Sequence, residues 1–217
     1  MRLRLGYPRV ALIVAPHPDD EVIGAAGLIA RLRHRGTRVN VVIVSDGAAS
    51  HPTSRRWPRA RLVAERRRES RRALRRIGLS AGAVRFLGLP DGRLPNLKPR
   101  CRRALGREVA SHRQLNLIVG PVPDDAHPDH RAVAAAIAAC RTPARRLAYQ
   151  VWPHDRRLRG PARSVLVAGG WLAKRSLIGV HRTQLGAIRD DPAGFAIARH
   201  ELGRFARPIE RYVELRR

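Results

Sequence analysis

Val41-Val42-Ile43-Val44, inside a run from Arg38 to Ser45, has no polar face. A strand of this kind must be covered on both sides, as the strands of parallel sheets flanked by helices are. Similar runs at 10–15, 84–87, 115–120 and 146–151 read as further strands, and 165–167 as a short edge strand. Helical patterns fill the intervals at about 23–35, 58–77, 99–111 and 129–140, with two more helices expected at 172–188 and 192–205. This alternation predicts a three-layer α/β/α Rossmann-like domain with a mostly parallel, doubly wound sheet. At 217 residues, without repeats or linkers, the chain reads as one domain over residues 1–217.

In such sheets ligands bind beyond the carboxyl ends of the strands, where the strand order reverses. Eight of the ten aspartates lie just after an expected strand: Asp19, Asp20, Asp46, Asp91, Asp124, Asp125, Asp129 and Asp155. Two tetrads stand out among them, His17-Pro18-Asp19-Asp20 after the first strand and His127-Pro128-Asp129-His130 after the fourth. In the common order 3-2-1-4-5 these two strands are neighbours, so both tetrads reach one crevice. The alternative is that each aspartate only caps the helix after it. Capping does not call for histidine, and it leaves the pairing of two tetrads unexplained. Imidazole and carboxylate are suitable zinc ligands, and three of them leave a position for water. The remaining aspartate and histidine can then divide base and acid roles.

The 44 basic residues against 17 acidic ones give a net charge of +27, which by itself points to nucleic acid or an anionic membrane. Only Lys98 and Lys174 are lysine, so the other 42 are arginine, and they are spread over the whole chain. Such a skew reads as compositional background, with nonspecific polyanion binding as its side effect. Aromatic residues make up 4%, too few for the stacking platforms of single-strand binders. Cys101 and Cys140 have no metal-ligand spacing, which suits a reduced, cytoplasmic setting. The longest apolar stretches, 10–15 and 132–140, are too short to span a bilayer. Arg2, Arg4 and Arg9 before the first run faintly imitate a signal peptide, but the run leads into His17 and not into a cleavage site.

The two tetrads, with Pro16 and Glu21 flanking the first, resemble those of the zinc-dependent N-acetylglucosaminyl deacetylase family known as PIG-L or LmbE-like. Secondary matches are Ser45-Asp46-Gly47, the stretch Phe86-Leu87-Gly88-Leu89-Pro90-Asp91-Gly92, and His181-Arg182-Thr183-Gln184. Matches run from about residue 10 to about 185. The resemblance implies that His17, Asp20 and His130 bind Zn2+, or another divalent ion such as Fe2+. It implies Asp19 as the general base that activates water. His127 would stabilise the tetrahedral intermediate or protonate the leaving amine, with Asp129 orienting its ring. Glu21 would support the loop and helix start. The family's reaction is hydrolysis of an acetamide on an amino sugar, so the expected partner is a small N-acetylated sugar or conjugate, with no specific nucleic acid and no membrane span. Members of the mycothiol pathway carry tyrosine two residues before the first histidine of the second tetrad, where this chain has Asp125. That departure argues against a mycothiol-type substrate.

Arg66 falls in the middle of the apolar stripe of the 58–77 helix, and Glu69 on its edge. An inward Arg–Glu pair is costly unless it pairs internally or lines a site. The family pattern is consistent with Arg66 contacting substrate, and a structural ion pair is the alternative. Asp91 sits in a Pro-Asp-Gly turn, which explains it locally; the family pattern offers it a sugar hydroxyl. Trp57 and Trp152 lie on the expected site face, either packed in the core or stacking on a sugar. His51, His154 and His181 could approach the site, but lone loop histidines are more often solvated; the cysteines read as small core residues. Two other readings compete with a sugar N-deacetylase: a metal-dependent hydrolase of a non-sugar N-acyl substrate, and a basic nucleic-acid-binding protein.

Overall fold

The computed structural model describes residues 3–6, 8–153 and 158–215. Its strands are β1 (Val10–Ala15), β2 (Arg38–Ser45), β3 (Val84–Leu89), β4 (Leu115–Pro121), β5 (Arg145–Tyr149), β6 (Arg163–Leu166) and β7 (Ile209–Leu215). Its helices are α1 (Asp20–His34), α2 (Arg59–Arg76), α3 (Lys98–Ala110), α4 (Pro128–Ala138), α5 (Gly170–Ile178) and α6 (Arg199–Phe205). One seven-stranded sheet runs β3-β2-β1-β4-β5-β7-β6. The first five strands are parallel, and β7 runs antiparallel to both β5 and β6.

The all-apolar strands feed two cores. Ala11, Ile13 and Ala15 of β1 pack with residues of α1, α2 and α5 on one face. Val10, Leu12 and Val14 pack with α3 and α4 on the other. Side chains alternate across a strand, so burying both faces requires an apolar residue at every position. Helix α1 lies close on the sheet because Gly24 has no side chain: a Cβ there would stand 2.2 Å from the Tyr149 ring. Hydroxyls fasten the same contact, with Tyr149 donating to the Val14 carbonyl and Tyr212 to the Gly24 carbonyl, both at 2.9 Å. This fixes the start of α1, which carries Asp20 and Glu21.

The last part of the chain departs from the sequence expectation. The helix expected over 172–188 ends at Ile178, before Gly179, and only one further 3-10 turn follows at Arg182–Gln184. Of the helix expected over 192–205, only Arg199–Phe205 is helical. Residues 185–198 satisfy backbone groups elsewhere: Phe195 donates its N–H to the Ser50 carbonyl at 2.7 Å and Ile197 to the Gln184 carbonyl at 2.8 Å. Strand β7, Ile-Glu-Arg-Tyr-Val-Glu-Leu, lay outside the sequence reading. Its inward Glu210 is buried by a close pair with Lys174 and accepts the N–H groups of Gly27 and Leu28 at 2.8 and 3.0 Å. No helix among the described residues is long and apolar enough to cross a membrane.

Candidate metal centre and catalytic cleft

Strands β1 and β4 are neighbours, as the 3-2-1-4-5 order required, and the loops after them bring the two tetrads together. Three atoms converge there. His17 Nδ1 lies 3.1 Å from Asp20 Oδ2 and 3.2 Å from His130 Nε2, and His130 Nε2 lies 3.1 Å from Asp20 Oδ2. All three residues are buried, His130 completely. A tetrahedral ion bound at about 2.0–2.1 Å separates its ligand atoms by roughly 3.3 Å. Two imidazole nitrogens and a carboxylate oxygen at this spacing therefore fit a divalent cation. Looser sets surround this triangle. Donor atoms of His17, His127 and His130, and those of His17, Asp91 and Asp129, lie within 4.8 Å of one another.

The outer nitrogens of the two rings meet carboxylates, which fixes ring orientation in metal centres. His17 Nε2 lies 3.0 Å from Asp91 Oδ1 and 3.2 Å from Asp129 Oδ2. Asp129 in turn accepts the N–H groups of Gly92 and Leu94, at 2.8 and 3.1 Å. The Asp129 carboxylate thus holds His17, which corrects the expectation that it orients His127. The physical reason is its place in the first turn of α4. Its side chain reaches across to the β1 loop, while its otherwise unpaired amide donates to His127 Nδ1 at 3.2 Å. The cap of α4 is consequently an imidazole ring, and His127 keeps its proton on Nε2.

His130 Nδ1 faces Asp125 Oδ1 at 3.3 Å. Asp125 was only a departure from a pattern in the sequence; in the structure its carboxylate also accepts the N–H groups of His127, Val151 and Trp152, at 2.9, 3.1 and 3.0 Å. The signal that could have found it was its place two residues before His127, where an aspartate can bond the backbone two residues on.

Asp19 stands immediately before α1, yet its side chain makes no capping bond. Its φ of 124° lies where a non-glycine residue is strained. Two buried groups hold it. Glu21 Oε2 accepts the Asp19 N–H at 2.9 Å, and Arg66 Nη2 lies 3.3 Å from Asp19 Oδ2. Arg66 also donates to the carbonyls of Pro18 at 2.6 Å and Gly47 at 2.7 Å. That approach needs glycine at 47, where φ is 72° and a Cβ would come within 2.6 Å of Arg66 Nη1. Glu69 is not bonded to Arg66; it accepts the N–H and hydroxyl of Thr183 at 2.9 and 2.5 Å. The inward Arg and Glu are thus compensated separately, one by the site loops and the other by the His181-Arg182-Thr183-Gln184 stretch.

Burial and contact divide the titrating groups. Burial, offset in part by Arg66 and reinforced by Asp20 and Glu21, pushes Asp19 up to about 8. Burial pushes Glu21 up to about 7. Burial acts against ionised Asp20, but His130 and His17 outweigh it and hold the carboxyl well below its usual range. Burial alone would lower His17 and His130; Asp91, Asp129 and Asp20 raise the first well above its ordinary value, and Asp20 with Asp125 raises the second to about 9. Burial and the two neighbouring histidines lower His127 to about 4, so its ring is neutral near pH 7.

The convergence opens into a cavity of about 370 Å³, lined among others by His17, Asp19, Arg66, Asp91 and His127. Asp91 belongs both to the site and to its turn, since its second oxygen accepts the Ala49 N–H at 3.0 Å. Trp152 lines the same cavity and Trp57 does not; Arg61 lies over the Trp57 ring, 4.2 Å from its centroid. His51 and His181 are buried, contrary to the expectation of solvated loops, because residues 185–198 and α1 close over them. His181 Nε2 comes within 3.8 Å of Glu21 Oε1 behind the site. His154 and Asp155 lie outside the described residues. Cys101 and Cys140 are free and buried, as small core residues.

A family model described as PIG-L, GlcNAc-PI de-N-acetylase, matches residues 12–140. The chain belongs to this family. The matched PIG-L segment contains both tetrads and ends with α4. Among curated proteins, the chain is 35% identical over 162 residues to a 1D-myo-inositol 2-acetamido-2-deoxy-alpha-D-glucopyranoside deacetylase of Nocardia farcinica, covering 62% of this chain and 53% of that one. It is 31% identical over 135 residues to a probable N-acetyl-alpha-D-glucosaminyl L-malate deacetylase 2 of Bacillus anthracis, covering 60% and 58%. The chain thus spans a little over half the length of these relatives. The fold is shared with N,N'-diacetylchitobiose deacetylase of Pyrococcus horikoshii, at a TM-score of 0.68 and 21% identity over 98% of this chain and 87% of the other.

Proposed function

We propose that this protein is a zinc-dependent hydrolase that removes the N-acetyl group from an N-acetylglucosamine-type sugar or sugar conjugate, in a reducing, cytoplasmic setting. The observation that carries the reading is the triangle of His17 Nδ1, Asp20 Oδ2 and His130 Nε2 beside the strained Asp19. The names of the two curated relatives, both deacetylases of glucosamine conjugates, supply the substrate class.

His17, Asp20 and His130 would hold the ion. When bound, zinc polarises the amide carbonyl and lowers the pKa of water toward neutrality. Asp19, on the cavity wall beside the ligand set and 3.3 Å from Arg66 Nη2, would in its ionised form take a proton from the attacking water. It can return that proton to the amine nitrogen as the C–N bond breaks, giving acetate and free amine. The neutral His127 presents its Nε2–H to the oxyanion of the tetrahedral intermediate, because Nδ1 is occupied by the Asp129 amide. Arg66 and Asp91, both on the cavity wall, would meet sugar hydroxyls while keeping their structural bonds to Gly47 and Ala49.

The test is metal analysis together with amine release. Purified protein should carry about one zinc per chain, lost in His17→Ala and His130→Ala. A panel of N-acetylated sugars and conjugates should release primary amine. Protein that neither binds zinc nor is activated by it would overturn the reading.

A further inference from the structure

One end of the cleft is unlike the rest. Trp152 and Phe195 meet nearly edge to face there, with ring centroids 6.1 Å apart and planes at 85°. Both line the cavity that holds His17 and Asp19, and Ile23 and Ile197 continue the apolar wall. Phe195 is 43% exposed although its backbone is pinned to Ser50 at 2.7 Å. A large aromatic held open to solvent at the mouth of a cavity forgoes burial that a ligand could provide.

The wall is rigid. Phe205 stands behind Trp152, at 5.0 Å between centroids and 87° between planes. Asp125 accepts the backbone N–H of Trp152, so the residue that faces His130 also anchors the main chain that carries the indole. Arg66 is the one arginine on the described lining, and its guanidinium is committed to Pro18, Asp19 and Gly47. The lining also includes Glu201, whose carboxylate accepts the Ala198 N–H at 2.8 Å.

We propose that Trp152, Phe195, Ile23 and Ile197 form a subsite for an apolar substituent of the amino sugar, carried next to the amide that is cleaved. This rests on the deacetylase reading above. The substituent is uncharged, an aryl or alkyl group on the glycosidic oxygen or a longer N-acyl chain. Glu201 works against an anionic group in the same place.

The experiment compares kcat/KM for the methyl, phenyl and carboxymethyl glycosides of N-acetylglucosamine, and for the methyl glycoside bearing N-hexanoyl in place of N-acetyl. Burial of a phenyl or pentyl group is expected to give about a tenfold gain over the N-acetyl methyl glycoside. The carboxymethyl compound gains nothing. In Phe195→Ala the ratio of apolar to methyl substrate falls toward one; Trp152→Ala moves it the same way. A gain confined to the phenyl glycoside places the substituent on the glycosidic side, and one confined to N-hexanoyl places it on the acyl side. Equal kcat/KM across the series, or a ratio unmoved by Phe195→Ala, overturns the subsite. Calorimetric binding of phenyl and methyl glucosaminide, which have no acyl group, separates the two readings. If no N-acyl compound is hydrolysed but the phenyl compound still binds about tenfold tighter in a Phe195-dependent way, the deacetylase reading fails and the subsite stands. Hydrolysis without preference in either assay removes the subsite and leaves the deacetylase reading standing.

Discussion

Asp125 Oδ1 and His130 Nδ1 face each other at 3.3 Å with both side chains completely out of solvent. The same carboxylate gathers the amides of His127, Val151 and Trp152. One side chain therefore ties a proposed metal ligand, a proposed catalytic ring and the aromatic wall of the cleft to a single point.

Asp125→Asn keeps the shape but removes the charge and one acceptor. Zinc affinity is expected to fall by about 10–100-fold, as for other outer partners of metal-bound histidine. Competition with a chelator measures it. Unchanged affinity would mean that His130 needs no carboxylate behind it.

Asp19→Asn is expected to bind zinc as the parent does and to lose turnover by at least about 100-fold, since it removes a base and not a ligand. Metal content and amine release are measured on the same preparation. Full activity would assign the base elsewhere.

Arg66 is buried, and its partners are two carbonyls and a carboxylate. Arg66→Ala removes this donor from all three, with the Ser50 hydroxyl still reaching the Gly47 carbonyl, and is expected to cost about 3 kcal/mol, read by denaturant unfolding. Gly47→Ala meets the same guanidinium from the opposite side and is expected to cost about 2 kcal/mol, from its positive φ and the clash together. If Gly47→Ala is as stable as the parent, Arg66 is not held against the backbone there.

Acid should release the 53–56 loop. Asp190 accepts from the Arg56 amide and the Ser54 hydroxyl, and Asp191 from the Thr53 amide. These bonds hold both carboxyls below their ordinary value. A depressed folded pKa contributes stability above the unfolded carboxylate pKa, near 4, and that stability is lost as pH falls through the lower folded value. Amide exchange at Thr53 and Arg56, referred to unfolded-chain rates, should therefore lose protection below about pH 4, ahead of the β1 amides. In Asp190→Asn with Asp191→Asn this acid-dependent step should disappear. Protection lost only together with β1 would contradict the clamp.

The sequence by itself determined the parallel part of the sheet and the site's address. Val10–Ala15 and Arg38–Ser45 are strands with the expected ends, because residues apolar on both faces leave no other way to exclude water. The common order 3-2-1-4-5 for such a sheet then put His17, Asp20 and His130 in one crevice, and the structure has it. The second halves of the interactions were not legible. Asp129 serves His17 across the crevice, Glu69 serves Thr183 across 114 residues, and the wall at Phe195 hangs from Ser50. The chain after Ile178 was misread for the same reason. Periodicity records which face of a segment is buried by its own element, whereas residues 185–198 and β7 take their conformation from hydrogen bonds and a buried ion pair with partners far away in the chain. Only the tertiary structure brings those partners within reach.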